Sequence, residues 1–239
     1  MHAIILGGNS DIGKELAKRL LRNEWKITVT HRDIKPDLGG TVTYVHDDVR
    51  SGVDPKITER FDLLICCIGT LEPIGAFMDV PRWGPQIGMS TNLLDPLRHV
   101  TGILGLAQKN ASIVFFGGMN TNGAKPNFFA YSLASVARIK AMELLDAELP
   151  DCKCFALGPG YIPTKMHNQI RAAGLEPSAT LKGASHDDLY ECLMWAHKQP
   201  KEVIGGRNIA VHTDDWRNPR FATMLAANPD LYKLRRATR

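Results

Sequence analysis

The chain has no set of cysteines that reads as a disulfide framework. Of its five, Cys66 and Cys67 are adjacent, Cys152 and Cys154 flank a single lysine, and Cys192 stands alone. An odd count without metal-ligand or redox spacing points to reduced thiols. The eight histidines are scattered without paired spacing, which argues against a metal centre. Nor is there an apolar run near the ~18 residues that a membrane span needs. The opening stretch MHAIILGGNS has neither the charged start nor the long apolar core of a secretory leader, so a cytoplasmic protein is expected, with no membrane partner. Charge of neither sign dominates. Lys and Arg outnumber Asp and Glu by 29 to 25, and part of the excess lies in the tail at Lys233, Arg235, Arg236 and Arg239. With no basic recognition helix or aromatic-interleaved strand, that surplus argues against nucleic acid as a partner. What is present is ordinary globular composition, 44% hydrophobic and 23% charged, which excludes disordered and collagen-like chains. A length of 239 residues suits one large domain, and no linker, repeat or low-complexity segment divides it.

Hydrophobic periodicity alternates along the chain. His2 to Leu6 is a short apolar run that ends in Gly7-Gly8, after which Ile12, Leu16, Ala17, Leu20 and Leu21 recur at helical spacing. Further strands are expected at 25–30, 41–45, 61–68, 112–116, 154–157 and 207–211. Long helices are expected over about 92–109 and 127–148, and a shorter one over 186–197. Strands alternating with helices imply an α/β fold with a mostly parallel sheet, helices covering both faces, because parallel strands need long crossovers. A looser stretch at 172–185 interrupts the last unit and reads either as a surface loop or as part of a substrate lid over 161–185.

Between the first strand and its helix lies Leu6-Gly7-Gly8-Asn9-Ser10-Asp11-Ile12-Gly13. Glycines there let a backbone approach a pyrophosphate, and free N–H groups at the helix start attract its charge. This turn resembles the GxxxGxG turn of the short-chain dehydrogenase/reductase family: Gly7 and Gly13 match its outer glycines, and Asp11 replaces the middle one. Further matches follow in order over nearly the whole chain: Asp48-Val49 the adenine-contacting pair, Asn92 the helix asparagine, Tyr131 the catalytic tyrosine, and Gly158-Pro159-Gly160 with Thr164 the nicotinamide-side PG…T segment. The resemblance implies a Rossmann-type doubly wound sheet of about seven strands in a single dinucleotide-binding domain. It implies cofactor contacts from Gly7, Ser10, Asp11, Ile12, Gly13, His31, Arg32, Asp48, Val49, Gly69, Pro159, Gly160, Ile162 and Thr164. No acid precedes Asp33 after the second strand, and Arg32 can fork onto a 2′-phosphate with help from Ser10 and His31, so NADP(H) is expected over NAD(H). A solvated turn arginine is the other reading of Arg32.

Tyr131, Asn92 and Ser135 form the candidate catalytic set, and two family features are missing from it. Four residues after its tyrosine the family carries a lysine that bonds the cofactor ribose and favours tyrosinate; here that position is Ser135. Arg138 shares the helix face but stands two turns, about 10 Å, from Tyr131, which is far for its side chain. The family serine that bonds the substrate oxygen is replaced by Gly118, with Asn120 or Thr121 as substitute donors. An ordinary tyrosine is only about one part in a thousand anionic at neutral pH, so these losses harm alcohol oxidation more than carbonyl reduction, which needs a neutral acid. Asn92 reads either as the holder of a relay water or as a helix-start residue bonding backbone, and Tyr131 either as the acid or as a buried structural residue.

The stretch Gly205-Gly206-Arg207-Asn208-Ile209-Ala210 to Trp216 is similar to the C-terminal ending of family reductases that accompany surface-polysaccharide and sugar biosynthesis. His167, Asn168, Asp214 and Trp216 would suit a hydroxyl-rich ligand. Two readings stay open: an NADP(H)-dependent reductase of a carbonyl on a small hydroxylated substrate, and a dinucleotide-binding protein without turnover that acts in regulation or scaffolding. The apolar faces of the two long helices exceed what one sheet contact needs, and the family builds a dimer interface from the equivalent pair, so a homodimer or homotetramer is expected.

Overall fold

His2–Leu6 (β1) is buried along its whole length, as a strand must be when helices cover both faces of a parallel sheet. The computed structural model describes residues 1–117, 121–176 and 183–236. Around β1 lie β2 (Lys26–His31), β3 (Val42–His46), β4 (Phe61–Cys66), β5 (Ala107–Phe116), β6 (Cys152–Gly158) and β7 (Asn208–Ala210). They form one seven-stranded sheet in the order β3-β2-β1-β4-β5-β6-β7. Each neighbouring pair is parallel. Strand order reverses between β1 and β4, which opens a crevice at their carboxyl ends. This is a Rossmann-like doubly wound α/β fold.

Side-chain alternation divides the core into two layers. Ala3, Ile5, Leu63, Ile65, Val114, Phe155 and Leu157 pack against α1 (Asp11–Arg22), α6 (His186–Lys198) and α8 (Pro219–Ala227). Ile4, Leu6, Leu64, Ile113, Phe115 and Cys154 face α3 (Asp95–Ile103) and α4 (Phe129–Glu148). The period-two strands therefore feed both layers from successive residues. α1 starts where Ser10 caps it, with Leu16, Ala17 and Leu20 inward and Arg19 and Arg22 in the last turn, where a cation suits the helix dipole.

The expected helix over 92–109 needs correction. α2 (Gly84–Met89) leads into a π-helical turn at Ser90–Leu94 and then α3, and residues 107–109 already belong to β5. Gly102 and Gly105 weaken the helix end, and a short 3-10 turn at Leu104–Leu106 hands the chain to the strand. The second long helix begins at Phe129, because Asn127 takes a left-handed φ of 72°. α5 (Lys165–Ala172), the short α7 (Lys201–Ile204) and α8 were not foreseen. The lid segment 161–185 thus contains a helix, and its residues 177–182 lie outside the described ones. No helix among the described residues is long and apolar enough to cross a membrane, and none of their His, Cys, Asp and Glu side chains gather in a metal-binding group.

Candidate functional site

A cavity of about 920 Å³ opens at the carboxyl ends of the strands, between the β1 turn, the loops after β2 and β4, α2, α4 and α5. Its first wall is the glycine turn. Gly7 has φ 79°, and a Cβ there would lie 2.9 Å from Ile68 Cγ1. Gly13 is behind the wall, where a Cβ would come within 2.7 Å of the Gly7 carbonyl oxygen and 2.8 Å of Ser10 Oγ. Ser10 Oγ donates to the Gly7 carbonyl at 2.8 Å and accepts from Gly13 N–H at 3.0 Å, locking the turn onto α1. The N–H groups of Asp11 and Ile12 have no intrahelical acceptor, and both residues line the cavity, so the helix start can take a phosphate. Asp11, standing where the motif has glycine, accepts from Lys165 N–H at 2.7 Å and ties this turn to α5.

At one end His31, Arg32, Asp48 and Val49 line the cavity together with Asp33 and Arg50. Arg32 is half exposed and its Nε donates to Asp33 at 2.7 Å. Asp48 accepts from the Arg50 backbone at 3.0 Å and from the Arg50 guanidinium at 2.9 and 3.1 Å. That hydrogen-bonded guanidinium holds its carboxyl down at about 2. Burial, then the nearby His46 and Lys35, push the His31 imidazole down from its ordinary value. Below this end the buried His99 ring meets both Asp47 oxygens at 2.9 Å.

At the other end the wall is formed by Gly69, Tyr131, Arg138, Pro159, Thr164, Met166 and Gln169. Tyr131 is buried in a small cluster with Leu71, Phe128 and Ile170 that fixes its ring. Thr164 caps α5: its backbone N–H donates to His167 Nδ1 at 3.0 Å. Gly69 stands against Asn92, whose Oδ1 would be 3.2 Å from a Cβ there. Asn92 itself is wholly buried in the π-helical turn and off the cavity wall. Its Oδ1 accepts from Thr70 N–H at 2.8 Å, and its Nδ2 donates to the carbonyls of Thr70 at 2.9 Å and Gly88 at 2.8 Å. Both amide protons are spent on backbone, so the side chain has none left for a water. Ser135, Gly160 and Ile162 also lie off the wall: Ser135 is fully buried, Gly160 bridges to Gly183, and Ile162 belongs to the core. Gly118 and Asn120 lie outside the described residues, and Thr121 does not line the cavity. Cys66 and Cys67 reach the wall, but burial pushes the Cys66 thiol up to about 11 and Cys67 well above its ordinary value, so neither is a nucleophile at neutral pH.

One sequence expectation fails here. Arg138 is not out of reach of the site: its Nη2 donates to Ser135 Oγ at 3.1 Å, and its guanidinium carbon is 5.9 Å from the centre of the Tyr131 ring. Side chains on a helix lean toward its N-terminus, so an arginine placed later on the face reaches back. The spacing of 131, 135 and 138 carried that signal. Arg50, Gln169 and the apolar rim of Ile74, Trp83 and Ile87 were also missed. They come from loops and α2, where no motif marks them.

These features can be set beside proteins of known structure. No family model matches the sequence, and no curated protein matches it significantly. A short-chain dehydrogenase family protein from Francisella tularensis superposes with a TM-score of 0.72 at 18% identity, covering 87% of this chain and 96% of that one. The fold is that of the short-chain dehydrogenases/reductases. A protein assigned as a short-chain dehydrogenase from Escherichia coli CFT073, complexed with NADPH, gives a TM-score of 0.73 at 17% identity over 88% of this chain and 96% of that one. A Tyr-to-Phe variant of ElxO with NADPH bound gives 0.70 at 17% identity over 88% and 96%. Within this fold, the late polar residues have local duties. His167 caps α5, Asn168 accepts from Arg171 at 3.3 Å, Asp214 accepts from Ala210 N–H at 2.7 Å, and Trp216 Nε1 donates to the Val211 carbonyl at 2.8 Å. None of the four lines the cavity.

Proposed function

We propose that this chain is an NADP(H)-dependent oxidoreductase that reduces a carbonyl on a small hydroxylated, sugar-derived substrate. The observation that carries this reading is a single cavity lined at once by the glycine turn, Arg32 and Tyr131. The residues fit a dinucleotide: the turn has no room for a Cβ at Gly7 or Gly13, and α1 presents unpaired N–H groups there. Structural neighbours with NADPH bound support the choice of cofactor. Gly7, Ser10, Asp11 and Ile12 would hold the pyrophosphate. His31, Arg32, Asp48 and Val49 would take the adenosine end, and Gly69, Pro159 and Thr164 the nicotinamide end. A reduced nicotinamide, when bound there, would supply a hydride to the carbonyl carbon. Tyr131 donates its phenolic proton to the carbonyl oxygen, so the alcohol forms as hydride and proton arrive on the two atoms of one bond. Leu71, Phe128 and Ile170 shield the buried side of the Tyr131 ring, and Ile74, Trp83 and Ile87 give the cavity an apolar rim. Asn92 braces the floor by joining the β4 loop to the π-helical turn, since its amide is bound to backbone. A hydroxylated substrate suits Gln169, whose Oε1 is buried without a partner and lacks a donor.

The test is NADPH consumption over a panel of aldehydes, ketones and keto sugars, at neutral and alkaline pH. Wild type should reduce at least one, and Tyr131→Phe should abolish the rate. Tight NADPH binding with no turnover would favour the non-catalytic binding protein, for which the missing lysine at Ser135 speaks. Activity that survives Tyr131→Phe would overturn the role given to the tyrosine.

A further inference from the structure

Arg138 is buried, lines the cavity, and has no carboxylate partner among the ion pairs of the described residues. Its Nη2 donates to a neutral hydroxyl, Ser135 Oγ, and its Nε is buried without an acceptor. The other fully buried arginine makes the contrast. Arg207 spreads its fork over the carbonyls of Leu225, Asn228 and Leu231 and so fastens the C-terminal segment to the sheet, away from the cavity. The Nε of Arg207 is buried without an acceptor as well, so the contrast lies in the terminal nitrogens: Arg207 spends both of its own on three carbonyls, as a guanidinium buried for structure must because burying a charge with unmet donors is costly, whereas Arg138 gives one bond from Nη2 to a hydroxyl. Arg138 keeps donors unmet where it borders an open cavity.

Position 135 is one helical turn past Tyr131, and its serine is too short and too buried to reach the cavity wall. The guanidinium from 138 returns to the level of 135 and comes to 5.9 Å from the Tyr131 ring centre. We infer that Arg138 is the cation of this site: it holds sugar hydroxyls of the bound dinucleotide beside Tyr131, while Ser135 aims it. Two substitutions thus act together, a short side chain at 135 leaving the volume and a longer cation at 138 filling it. This rests on the dinucleotide reading above. A fork also differs from an ammonium in keeping its charge throughout the accessible pH range and in offering paired donors that match a vicinal diol.

The experiment titrates the full-length protein with NADPH by fluorescence and measures thermal unfolding without cofactor, for wild type, Arg138→Met and Ser135→Lys/Arg138→Met. Methionine keeps the volume and removes the charge. NADPH affinity should fall about tenfold or more in Arg138→Met, as expected for losing a charge-assisted hydrogen bond, while the cofactor-free melting temperature is unchanged or higher. Adding Ser135→Lys should recover most of the affinity, which a merely structural arginine would not allow. Affinity within about twofold of wild type in Arg138→Met overturns the inference. So does a loss of folding or melting temperature that Ser135→Lys leaves unrepaired. Wild type that binds neither NADPH nor NADH overturns the dinucleotide reading itself, whereas wild type and Arg138→Met binding equally well overturn the arginine's role alone.

Discussion

Arg32 illustrates how a single side chain divides its loyalties. It is half exposed and holds Asp33 at 2.7 Å, a pair that solvent screens to about 0–1 kcal/mol, so a phosphate with two charges can take the fork from it. NADPH should therefore bind at least about tenfold tighter than NADH, roughly 1.4 kcal/mol, and Arg32→Ala should remove most of that margin while NADH affinity holds. Equal affinities in wild type would show that Asp33 keeps the arginine. His197 carries a different prediction. Burial first, then Lys153, push its imidazole from 6.5 down to about 4, and its Nδ1 lies 2.9 Å from Ser112 Oγ. The unfolded chain takes up a proton near pH 6.5 that the native site refuses, so stability present above that pH is lost as pH falls toward about 4. After allowance for partial exposure the loss is about 2 kcal/mol, and His197→Gln should flatten the fall in urea midpoint between neutral and mildly acid buffer. Residue by residue, the glycine turn, Arg32, Asp48, Tyr131 and Thr164 were legible because a motif or a charge marks them. Arg138 was missed because distance along the helix was counted from backbone to backbone, without the lean of the side chain.

At the scale of elements, the turn and α1 form one unit. Ser10 is at once the helix cap and the staple of the Gly7 carbonyl, and Gly13 fits beneath both. Gly13→Ala would drive a methyl to 2.7 Å from the Gly7 carbonyl, so the turn must open. The variant should lose NADPH binding and about 1–3 kcal/mol of stability, read by titration and by chemical unfolding. An unchanged affinity would show that the turn does not hold the cofactor. Strands and α1 were legible from alternation and caps, since their periods match their burial. The span 84–106 was not, because glycines at 84, 88, 102 and 105 and the π-helical turn break the helical count, and an apolar stripe persists across helix and strand alike. α5 and α8 escaped because each is two turns of mixed composition, fixed by its neighbours rather than by its own pattern.

For the whole molecule, the parallel architecture followed from the alternation of elements alone, and the doubly wound sheet of about seven strands followed from the family resemblance, while the strand order came from the structure. Neither could show which surfaces stay open. Ile87 and Leu94 in the α2–α3 unit, and Phe129, Leu133 and Leu144 on α4, are exposed apolar residues, and the Phe77 ring packs tilted against Phe129 with ring centres 4.8 Å apart. Light scattering at micromolar concentration should show a dimer or tetramer, and Phe129→Glu/Leu133→Glu should yield monomers; a monomeric wild type would contradict the assembly. The same sheet has a temporal side. With every neighbouring pair of the sheet parallel, no hairpin among the described residues of the sheet offers a quick local start, and each strand pairing waits for the connection between its strands to be made. On a ribosome, β1 can pair with β2 early, but β6 keeps a bare edge until β7 at Asn208–Ala210 has emerged. Between the completion of β6 at Gly158 and the emergence of β7 at Asn208 the nascent protein therefore carries that strand edge unsealed, and its yield in the cell depends on how long the edge is left uncovered.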